Sequence, residues 1–340
     1  MKDVKTIICD STLRDGSHAC AHQLTVEQIR DYATAADQAG VDYVEVGHGN
    51  GLGASSLQVG ESRLSDAEML STAASCLRQA RLSVHVMPGI ATVDRDLRPA
   101  IDAGVALFRI GAHCTEADLT QRHITYVRNT GRLAWGVLMM THMATPELLV
   151  EEGLKLQNYG AQGLVLMDSA GALLPDQVSA RITRLVDRLD LPIGFHGHQN
   201  LGLAVANSIA ALDAGARILD ATARGFGAGA GNTPLELLAA VLHQSNRLNS
   251  LNLYRALDAG EVAGRLFAGQ LPVSDAITIV SGLSGVFSGF VKPVLRISRE
   301  LAVDPRDVFI ELGRRAVVGG QEDLILEVAH QLAARKTTSS

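Results

Sequence analysis

Short apolar runs of strand-like length alternate with amphipathic helical segments along most of this 340-residue chain. We identify eight strand candidates, each followed by a helix-like segment: Val4–Cys9, Asp42–Val46, Leu82–Met87, Ala106–Ile110, Leu133–Met139, Leu164–Met167, Ile193–His196 and Ile218–Ala221. Strands that alternate with helices form parallel sheets through right-handed βαβ units. Eight such units within about 245 residues favour a closed (β/α)8 barrel, a TIM barrel, over an open doubly wound sheet, which remains the alternative.

The helical segments carry recognisable start and stop signals. Among those we identify are Thr25–Ala39, Asp66–Ala80, Pro146–Tyr159, Pro175–Arg188, Leu201–Ala214 and Pro234–Asn246. We expect N-terminal caps at Thr25, Ser65, Thr145 and Thr233, since a side-chain hydroxyl there accepts a hydrogen bond from the first turn. Glycines are expected to end several helices in a left-handed conformation, namely Gly40, Gly104, Gly131, Gly160 and Gly215.

The alternation stops near residue 262, and the rest of the chain is predicted to be helical. The predicted helices are Val273–Phe290, Pro293–Leu301, Pro305–Arg315 and Glu322–Ala334. We therefore divide the chain into a barrel domain, residues 1–262, and a small C-terminal helical domain, residues 263–340.

Composition excludes several classes of protein. The 47% apolar and 19% charged residues are typical of a globular chain rather than a disordered one. A net charge of −6 and few aromatic residues argue against nucleic-acid binding. The N-terminal sequence has no apolar signal-peptide core, and no apolar stretch reaches about 18 residues, so neither secretion nor a membrane span is expected. The four cysteines lack metal-site spacing and are expected to be reduced thiols in the cytoplasm.

Polar residues cluster where the predicted strands end, which is the catalytic face of such barrels. His196 and His198 are the sharpest signal, because residues at i and i+2 of a strand share one face. Two imidazoles on one face suit one metal ion, and Asp15, just after the first strand, is our choice for a carboxylate ligand. A pair of hydrogen-bonded histidines without a metal is the alternative.

Arg14 and His18 flank Asp15 in the loop after the first strand. Arginine supplies a fixed cation for a carboxylate or enolate oxygen, and histidine supplies a base near neutral pH. A salt-bridged loop with a capping histidine is the competing interpretation. Other polar residues at strand ends are Glu45, His48, His113, His142, Asp168 and Ser169. The remaining histidines, including His22, His123, His243 and His330, are expected to be capping or surface groups.

A glycine-rich run, residues 225–232, follows the last predicted strand. It is a weak match to dinucleotide-binding fingerprints, which follow the first strand of their unit. Glycines there allow close approach of the backbone to a ligand, and Asn232 is placed to offer an oxygen to a metal or substrate. A plain glycine-rich turn is the alternative. No lysine falls at the carboxyl end of a predicted strand, which disfavours a Schiff-base aldolase.

Several longer motifs resemble the 4-hydroxy-2-oxovalerate aldolases, which are metal-dependent pyruvate aldolases of a wider lyase-and-synthase barrel superfamily. The motifs are DSTLRDGSHA at 10–19, HQ at 22–23, GHG at 47–49, DSAG at 168–171, GFHGH at 194–198, NLGLAVANS at 200–208, GAGAGN at 227–232 and VGGQED at 318–323. The resemblance covers nearly the whole chain.

The resemblance implies a function and a set of residue roles. It implies cleavage of 4-hydroxy-2-oxoacids to pyruvate and an aldehyde, and the reverse aldol addition. It implies a divalent ion, usually Mn²⁺ with Mg²⁺, Co²⁺ or Zn²⁺ as alternatives, held by Asp15, His196 and His198. Within the same resemblance His18 is the catalytic base, Arg14 stabilises the enolate, and substrate also meets Ser169.

The resemblance also implies a partner and a setting. Such enzymes dock an acylating acetaldehyde dehydrogenase through the helical domain, as a heterotetramer, and aldehyde passes between the two active sites. They act in the cytoplasm, in the catabolism of aromatic hydrocarbons.

The chain departs from the family pattern at four positions. Phe287 stands where a tyrosine that reaches the active site is usual, and Asn50 replaces an aspartate. His85 and Met87 stand where leucines line the aldehyde pocket. These changes leave the metal and enolate chemistry intact but leave the acceptor aldehyde and the stereochemistry open.

Two other functions fit parts of the pattern. One is a Claisen-type synthase or acyl-CoA lyase on the same barrel, although the lyases place a cysteine in the glycine-rich loop and residues 225–232 contain none. The other is a non-catalytic subunit of an aldehyde dehydrogenase complex. The intact set of Arg14, Asp15, His18, His196 and His198 argues against loss of catalysis.

Overall fold

The computed structural model describes residues 5–248, 250–267 and 271–339. Its eight strands form a closed parallel barrel in chain order. They are β1 (Ile7–Asp10), β2 (Tyr43–Glu45), β3 (Arg81–Val86), β4 (Leu107–His113), β5 (Leu133–Met139), β6 (Leu164–Asp168), β7 (Ile193–Gly197) and β8 (Ile218–Ala221). β8 pairs with β1 in parallel and closes the sheet, which confirms the predicted TIM barrel.

The predicted strand boundaries differ from the observed ones by a few residues. β4 runs to His113 rather than ending at Ile110, so His113 belongs to the strand and not to the loop that follows it. Val4, the predicted start of the first strand, lies outside the described residues.

Thirteen α-helices occur in the described part of the chain. They are α1 (Val26–Ala39), α2 (Asp66–Cys76), α3 (Arg98–Asp102), α4 (Gln121–Asn129), α5 (Pro146–Asn158), α6 (Pro175–Val186), α7 (Ala204–Asp213), α8 (Leu235–Gln244), α9 (Leu253–Leu266), α10 (Ala276–Leu283), α11 (Val291–Glu300), α12 (Pro305–Arg314) and α13 (Asp323–Ser339). None of these helices meets the length and hydropathy needed to cross a membrane.

Most of the predicted helix caps are confirmed. Thr25 and Ser65 each form a capping box, and Thr145 accepts a hydrogen bond from the first turn of α5. The five predicted terminal glycines all have positive φ. The cap at Thr233 is wrong, because α8 begins at Leu235. The Thr233 hydroxyl instead lies 3.1 Å from the hydroxyl of Ser208, inside the protein.

Side chains inside the barrel change from apolar to charged along the strands. The inner apolar cluster contains Cys9, Tyr43, Leu107, Trp135, Val137, Val165, Met167 and Ile218. Because side chains alternate along a strand, Glu45, Arg109 and Asp220 point into the same interior, two residues after Tyr43, Leu107 and Ile218 respectively. The charged layer is therefore at the carboxyl end, beneath the predicted catalytic loops.

The C-terminal helices form a second core. α9 packs on the barrel, since Ala256, Ala259 and Ala263 belong to the main apolar cluster. We call the part built from α10 to α13 the helical unit. It has its own cluster, with Val286, Phe290, Val294, Val308, Phe309, Leu312, Ile325 and Val328 among its members.

The predicted single helix Val273–Phe290 is wrong. α10 ends at Leu283, a turn follows, and a short 3₁₀ helix covers Ser288–Phe290. Gly285 in that turn has φ +64°, a left-handed conformation in which the helix cannot continue. This break places Phe287 in a loop rather than on a helix face.

Hydrogen bonds attach the helical unit to the catalytic face of the barrel. The Ser288 amide donates to the carbonyl of Ser169 at 3.1 Å, and its hydroxyl donates to Asn200 at 3.0 Å. Lys292 Nζ, on α11, donates to the carbonyl of His18 at 2.8 Å. The helical unit therefore contacts the loops in which the predicted catalytic residues lie.

Candidate metal centre

Asp15, His196 and His198 come together at the carboxyl end of the barrel. Asp15 begins a short 3₁₀ helix after β1, His196 is in β7, and His198 follows β7 directly. All three are buried, and each offers one ligand atom within 4.8 Å of the others. Asp15 Oδ2 lies 3.9 Å from His196 Nε2. Within the described ranges, no other cluster of three histidine, cysteine or acidic residues has this arrangement.

Buried polar atoms without partners show that this cluster fits a cation. His196 Nε2, His198 Nδ1 and Asn232 Oδ1 are buried, and no described residue gives any of them a hydrogen bond. An unpaired buried polar atom is costly, so such atoms indicate a missing ligand. Two imidazoles and a carboxylate form a donor set typical of divalent transition ions. The residues present therefore fit a bound divalent metal.

The protonation states of the cluster suit metal binding. Burial raises the pKa of Asp15, but the Arg14 guanidinium and then His198 outweigh it and hold that pKa well below its usual value. Burial lowers the pKa of His198 to about 3, against the opposing effect of Asp15. A carboxylate and a neutral imidazole, both ready to donate electron pairs, result near neutral pH.

The glycine-rich run after β8 shapes the cluster. A Cβ atom at Gly227 would overlap the Asn232 amide and lie 2.8 Å from Asp15 Oδ1. The amide of Ala228 donates to Asp15 Oδ1 at 3.1 Å. Asn232 donates from Nδ2 to the Phe226 carbonyl at 3.1 Å, which leaves its oxygen free. The run therefore contacts Asp15 directly, which favours a role in the candidate site over a plain turn.

Arg14 has one nitrogen free beside the cluster. Its Nε donates to Glu45 Oε1 at 2.6 Å and its Nη1 donates to Asp15 Oδ2 at 2.5 Å. The remaining nitrogen, Nη2, is buried and has no hydrogen-bond partner in the described part of the chain. Arg14 is thus held rigidly by two carboxylates, with a donor left over for an anionic group.

His18 is half-buried on the same 3₁₀ helix as Asp15. Burial lowers its pKa to about 4, and Arg14 adds to the shift while Asp15 opposes it. The imidazole is therefore neutral near pH 7 and can accept a proton.

Gly49 leaves room for the His18 ring, which gives a test of its placement. A Cβ atom at Gly49 would overlap the His18 imidazole at Nε2. We expect Gly49→Ala to displace the ring and lower kcat by about tenfold or more. This is less than the roughly 10²- to 10⁴-fold contribution of a general base, because the ring is displaced and not removed. Because Gly49 has no side chain that could bind an ion, the affinity for divalent metal ions and the melting temperature of the variant should stay close to those of the unmodified protein. Unchanged kcat would show that the ring position is not important for turnover.

Two histidines predicted to be capping or surface groups are buried, so that prediction is wrong for them. His22 stacks on His48 with ring centroids 3.7 Å apart, and its centroid lies 4.8 Å from that of His18. His123 is also buried, and its Nε2 lies 3.0 Å from the carbonyl oxygen of Ala91. His243 and His330 are exposed, as predicted.

Ser169, which directly follows β6, and Phe287 line a cavity of about 570 Å³. Other residues that line it include Asn50, Met87, His113, Met139 and Gly319. The Ser169 hydroxyl accepts a hydrogen bond from the Met140 amide at 3.0 Å, so it also supports the turn after β5. Phe287 is half-buried and presents a ring without a hydroxyl.

Two buried residues of the site are missed by the sequence reasoning. Arg109 is fully buried and donates to Glu45 Oε2 at 3.0 Å and to Asp220. Asp220 Oδ2 lies 2.8 Å from His196 Nδ1. The sequence does contain a signal for these two residues, because each is a charged residue at an inward position of an otherwise apolar strand. Once a closed barrel is predicted, such a residue needs a partner inside it.

Comparison with known proteins places the chain among barrel lyases. The HMGL-like family matches residues 5–263, and the DmpG-like communication domain matches residues 272–334. A protein of Salinispora arenicola named 4-hydroxy-2-oxovalerate aldolase 2 is 56% identical, over 99% of this chain and 97% of its own length. The 4-hydroxy-2-oxovalerate aldolase of Pectobacterium atrosepticum is 52% identical over 98% of both chains.

Solved structures share the fold at low identity. The N-terminal domain of an aldolase candidate from Bacteroides vulgatus superposes with a TM-score of 0.74 at 24% identity, covering 86% of this chain and 98% of that one. The carboxyl transferase domain of Rhizobium etli pyruvate carboxylase superposes with a TM-score of 0.80 at 16% identity, covering 98% of this chain and 62% of that one.

Proposed function

This chain belongs to the 4-hydroxy-2-oxovalerate aldolase family, and we propose that it cleaves 4-hydroxy-2-oxoacids to pyruvate and an aldehyde, and catalyses the reverse aldol addition. The observation that carries this proposal is the group of unpartnered buried atoms at one point: His196 Nε2, His198 Nδ1 and Arg14 Nη2. Ligands for a cation and a free guanidinium donor are the two features that stabilisation of an enolate requires.

We assign the ion to Asp15, His196 and His198, with Asn232 as an additional oxygen donor. Mn²⁺ is our choice because the resemblance to the 4-hydroxy-2-oxovalerate aldolases implies it. The ligand set of imidazole and oxygen atoms fits divalent transition ions as a class. When bound, the ion would act as a Lewis acid and polarise the 2-oxo group of the substrate.

The chain's own residues carry the proton and the charge. His18 is neutral near pH 7 and takes the proton of the 4-hydroxyl, directly or through a water. The C3–C4 bond then breaks, the aldehyde leaves, and the bonding electrons form the enolate of pyruvate. Arg14 donates from Nη2 to the enolate oxygen, while Glu45 holds the guanidinium in place. Water then supplies a proton to C3, which gives pyruvate, and protonated His18 returns its proton to water.

We place the departing aldehyde in the cavity that Ser169 and Phe287 line. Met87 and Met139 give this cavity an apolar and adaptable part, since thioether side chains repack easily. Phe287 has no hydroxyl to donate to the substrate. Discrimination between substrate enantiomers therefore depends on the shape of this cavity rather than on a hydrogen bond from residue 287.

We also propose a partner and a location. The match of residues 272–334 to a communication domain supports docking of an acylating acetaldehyde dehydrogenase on the helical unit, in a heterotetramer. The cysteines that the structure describes are all free, and Cys9 and Cys114 are buried. Reduced thiols support a cytoplasmic location. Of the pathways that make 4-hydroxy-2-oxoacids, we propose aromatic hydrocarbon catabolism.

Release of pyruvate from 4-hydroxy-2-oxovalerate tests the proposed function. With Mn²⁺ present, we expect steady pyruvate formation. The pyruvate is measured in an assay coupled to lactate dehydrogenase and NADH. His18→Ala should lower kcat by about 10²-fold or more because it removes the general base. The same variant should keep its Mn²⁺ affinity, which separates loss of the base from loss of the site.

A different result would favour another reaction class. If the Mn²⁺-loaded, folded protein releases no pyruvate from 4-hydroxy-2-oxovalerate or its longer homologues, the aldolase assignment is wrong. Condensation of a 2-oxoacid with acetyl-CoA by that same protein would assign it to the Claisen-type synthases.

A further inference from the structure

Six side chains form a ring at the carboxyl end of the barrel, in which ionic or hydrogen-bonded contacts join every neighbouring pair except Asp15 and His196. We call it the charge ring, and its members in order are Arg14, Asp15, His196, Asp220, Arg109 and Glu45. All six are buried. The ring is open to a ligand at one point, where Asp15 Oδ2 and His196 Nε2 face each other across 3.9 Å.

Arg109 is the member that crosses the barrel. It lies on β4, which is opposite β8 in a closed eight-stranded barrel. From there its two terminal nitrogens reach Asp220 on β8 and Glu45 on β2, while Nη1 also contacts Cys9 Sγ at 3.4 Å. A planar guanidinium presents several donors in a fixed fork, so it can hold two carboxylates at a set separation.

Each of these carboxylates holds a group that faces the ligand site. Asp220 Oδ2 contacts both Arg109 and His196 Nδ1, the latter at 2.8 Å. A carboxylate at Nδ1 keeps the proton on that nitrogen and leaves the lone pair on Nε2, which faces Asp15. Glu45 bonds Arg109 through Oε2 and Arg14 through Oε1.

We propose that Arg109 and Asp220 are positioning residues for the aldolase reaction. Asp220 fixes the tautomer and orientation of the metal ligand His196. Arg109 holds two groups in place. It acts on His196 through Asp220, and on the enolate-stabilising Arg14 through Glu45. Neither residue touches the substrate. This inference rests on the proposed function, since it assigns the two residues to that same site.

The charge of the ring is consistent with this role. Two arginines face three carboxylates, so the ring has one net negative charge when His196 is neutral. A divalent cation reverses the sign, and the loaded ring then attracts an anionic ketoacid or enolate. Removal of Arg109 would leave Glu45 and Asp220 as buried carboxylates with less compensation, which opposes correct placement of both Arg14 and His196.

Mn²⁺ affinity and turnover, measured separately, test the two assignments. We expect Asp220→Asn to weaken Mn²⁺ binding by about 10- to 100-fold. Binding is measured from the electron paramagnetic resonance signal of free Mn²⁺. At saturating Mn²⁺ the kcat of Asp220→Asn should stay within about threefold of the unmodified enzyme, because the ligand set is intact. Arg109→Lys should weaken Mn²⁺ binding and also lower kcat at saturating Mn²⁺ by about tenfold, because it disturbs Arg14 as well.

Asp37→Asn is the matched control. Asp37 is another buried carboxylate, and it accepts hydrogen bonds from the amides of Arg78, Gln79 and Ala80, away from the charge ring. We expect this variant to lose stability without a change in Mn²⁺ affinity. A change in affinity that is confined to the ring variants therefore excludes a general effect of removing a buried charge.

Each outcome decides between the proposals. If Asp220→Asn and Arg109→Lys both fold and bind Mn²⁺ within about twofold of the unmodified protein, the positioning role is wrong. If Arg109→Lys does not fold, the Mn²⁺ affinity of Asp220→Asn alone tests the positioning role. If Asp220→Asn does not fold, the Mn²⁺ affinity of Arg109→Lys tests it. If the unmodified protein binds Mn²⁺ but cleaves no ketoacid, the proposed function fails while the affinity measurements still test the ring.

Discussion

Removal of divalent ions is expected to abolish pyruvate release from 4-hydroxy-2-oxovalerate. Without the ion, charge that develops on the 2-oxo group would meet Arg14 alone, and we expect a fall in rate of about 10³-fold or more. The measurement is the coupled pyruvate assay after treatment with a chelator and removal of the chelator by gel filtration. Addition of Mn²⁺ to the stripped protein should restore the rate.

The same experiment needs a check that the stripped protein is folded. Asp15 is already paired with Arg14 at 2.5 Å, and His196 with Asp220 at 2.8 Å, so the site keeps partners without an ion. We therefore expect an unchanged circular dichroism spectrum and a melting temperature lower only by the lost binding energy of the ion. Cleavage at the full rate by metal-free protein would overturn the metal mechanism.

Replacement of Arg14 is expected to have the next largest effect. Arg14→Ala removes the free Nη2 donor, whose charge partner develops only as the enolate forms. Loss of one such donor costs about 10²- to 10³-fold in kcat, and we expect a smaller change in KM. Steady-state kinetics at saturating Mn²⁺ provide the measurement, so that a weaker metal site does not lower the apparent rate.

Arg14→Lys is the matched control for that experiment. A lysine keeps one positive charge but cannot reach Glu45, Asp15 and the substrate with separate nitrogens. We expect its kcat to fall between those of the unmodified enzyme and Arg14→Ala. A rise in KM with unchanged kcat in both variants would assign Arg14 to ground-state binding rather than to the enolate.

The barrel and the proximity of the three proposed metal ligands could be predicted largely from spacing along the chain. Apolar strands separated by helices allow few topologies, and eight repeats within one chain favour closure. His196 and His198 are two residues apart on a strand, so their common face follows from strand geometry. Asp15 could be added because the loop after β1 opens on the same end of the barrel.

Other features depend on partners that are distant in sequence, so spacing along the chain does not predict which residues pair. The Thr233 hydroxyl faces Ser208 across the interior instead of capping the helix beside it. Arg109 and Asp220 are separated by 111 positions along the chain, and only closure of the barrel puts them in contact. His22 stacks on His48 because two loops meet there, which no periodicity in either loop indicates.

The attachment of the helical unit has a consequence for protein engineering. Ser288 and Lys292 donate to the carbonyls of Ser169 and His18, so a barrel cut free of its C-terminal part would lose contacts that fix two of its active-site loops. Chimaeras that exchange C-terminal helices between relatives, to test the proposed docking of a dehydrogenase, should therefore keep Ser288 and Lys292 of the parent chain. The junction for such an exchange is better placed between α11 and α12 than between α9 and α10, because it then follows both residues without cutting a helix.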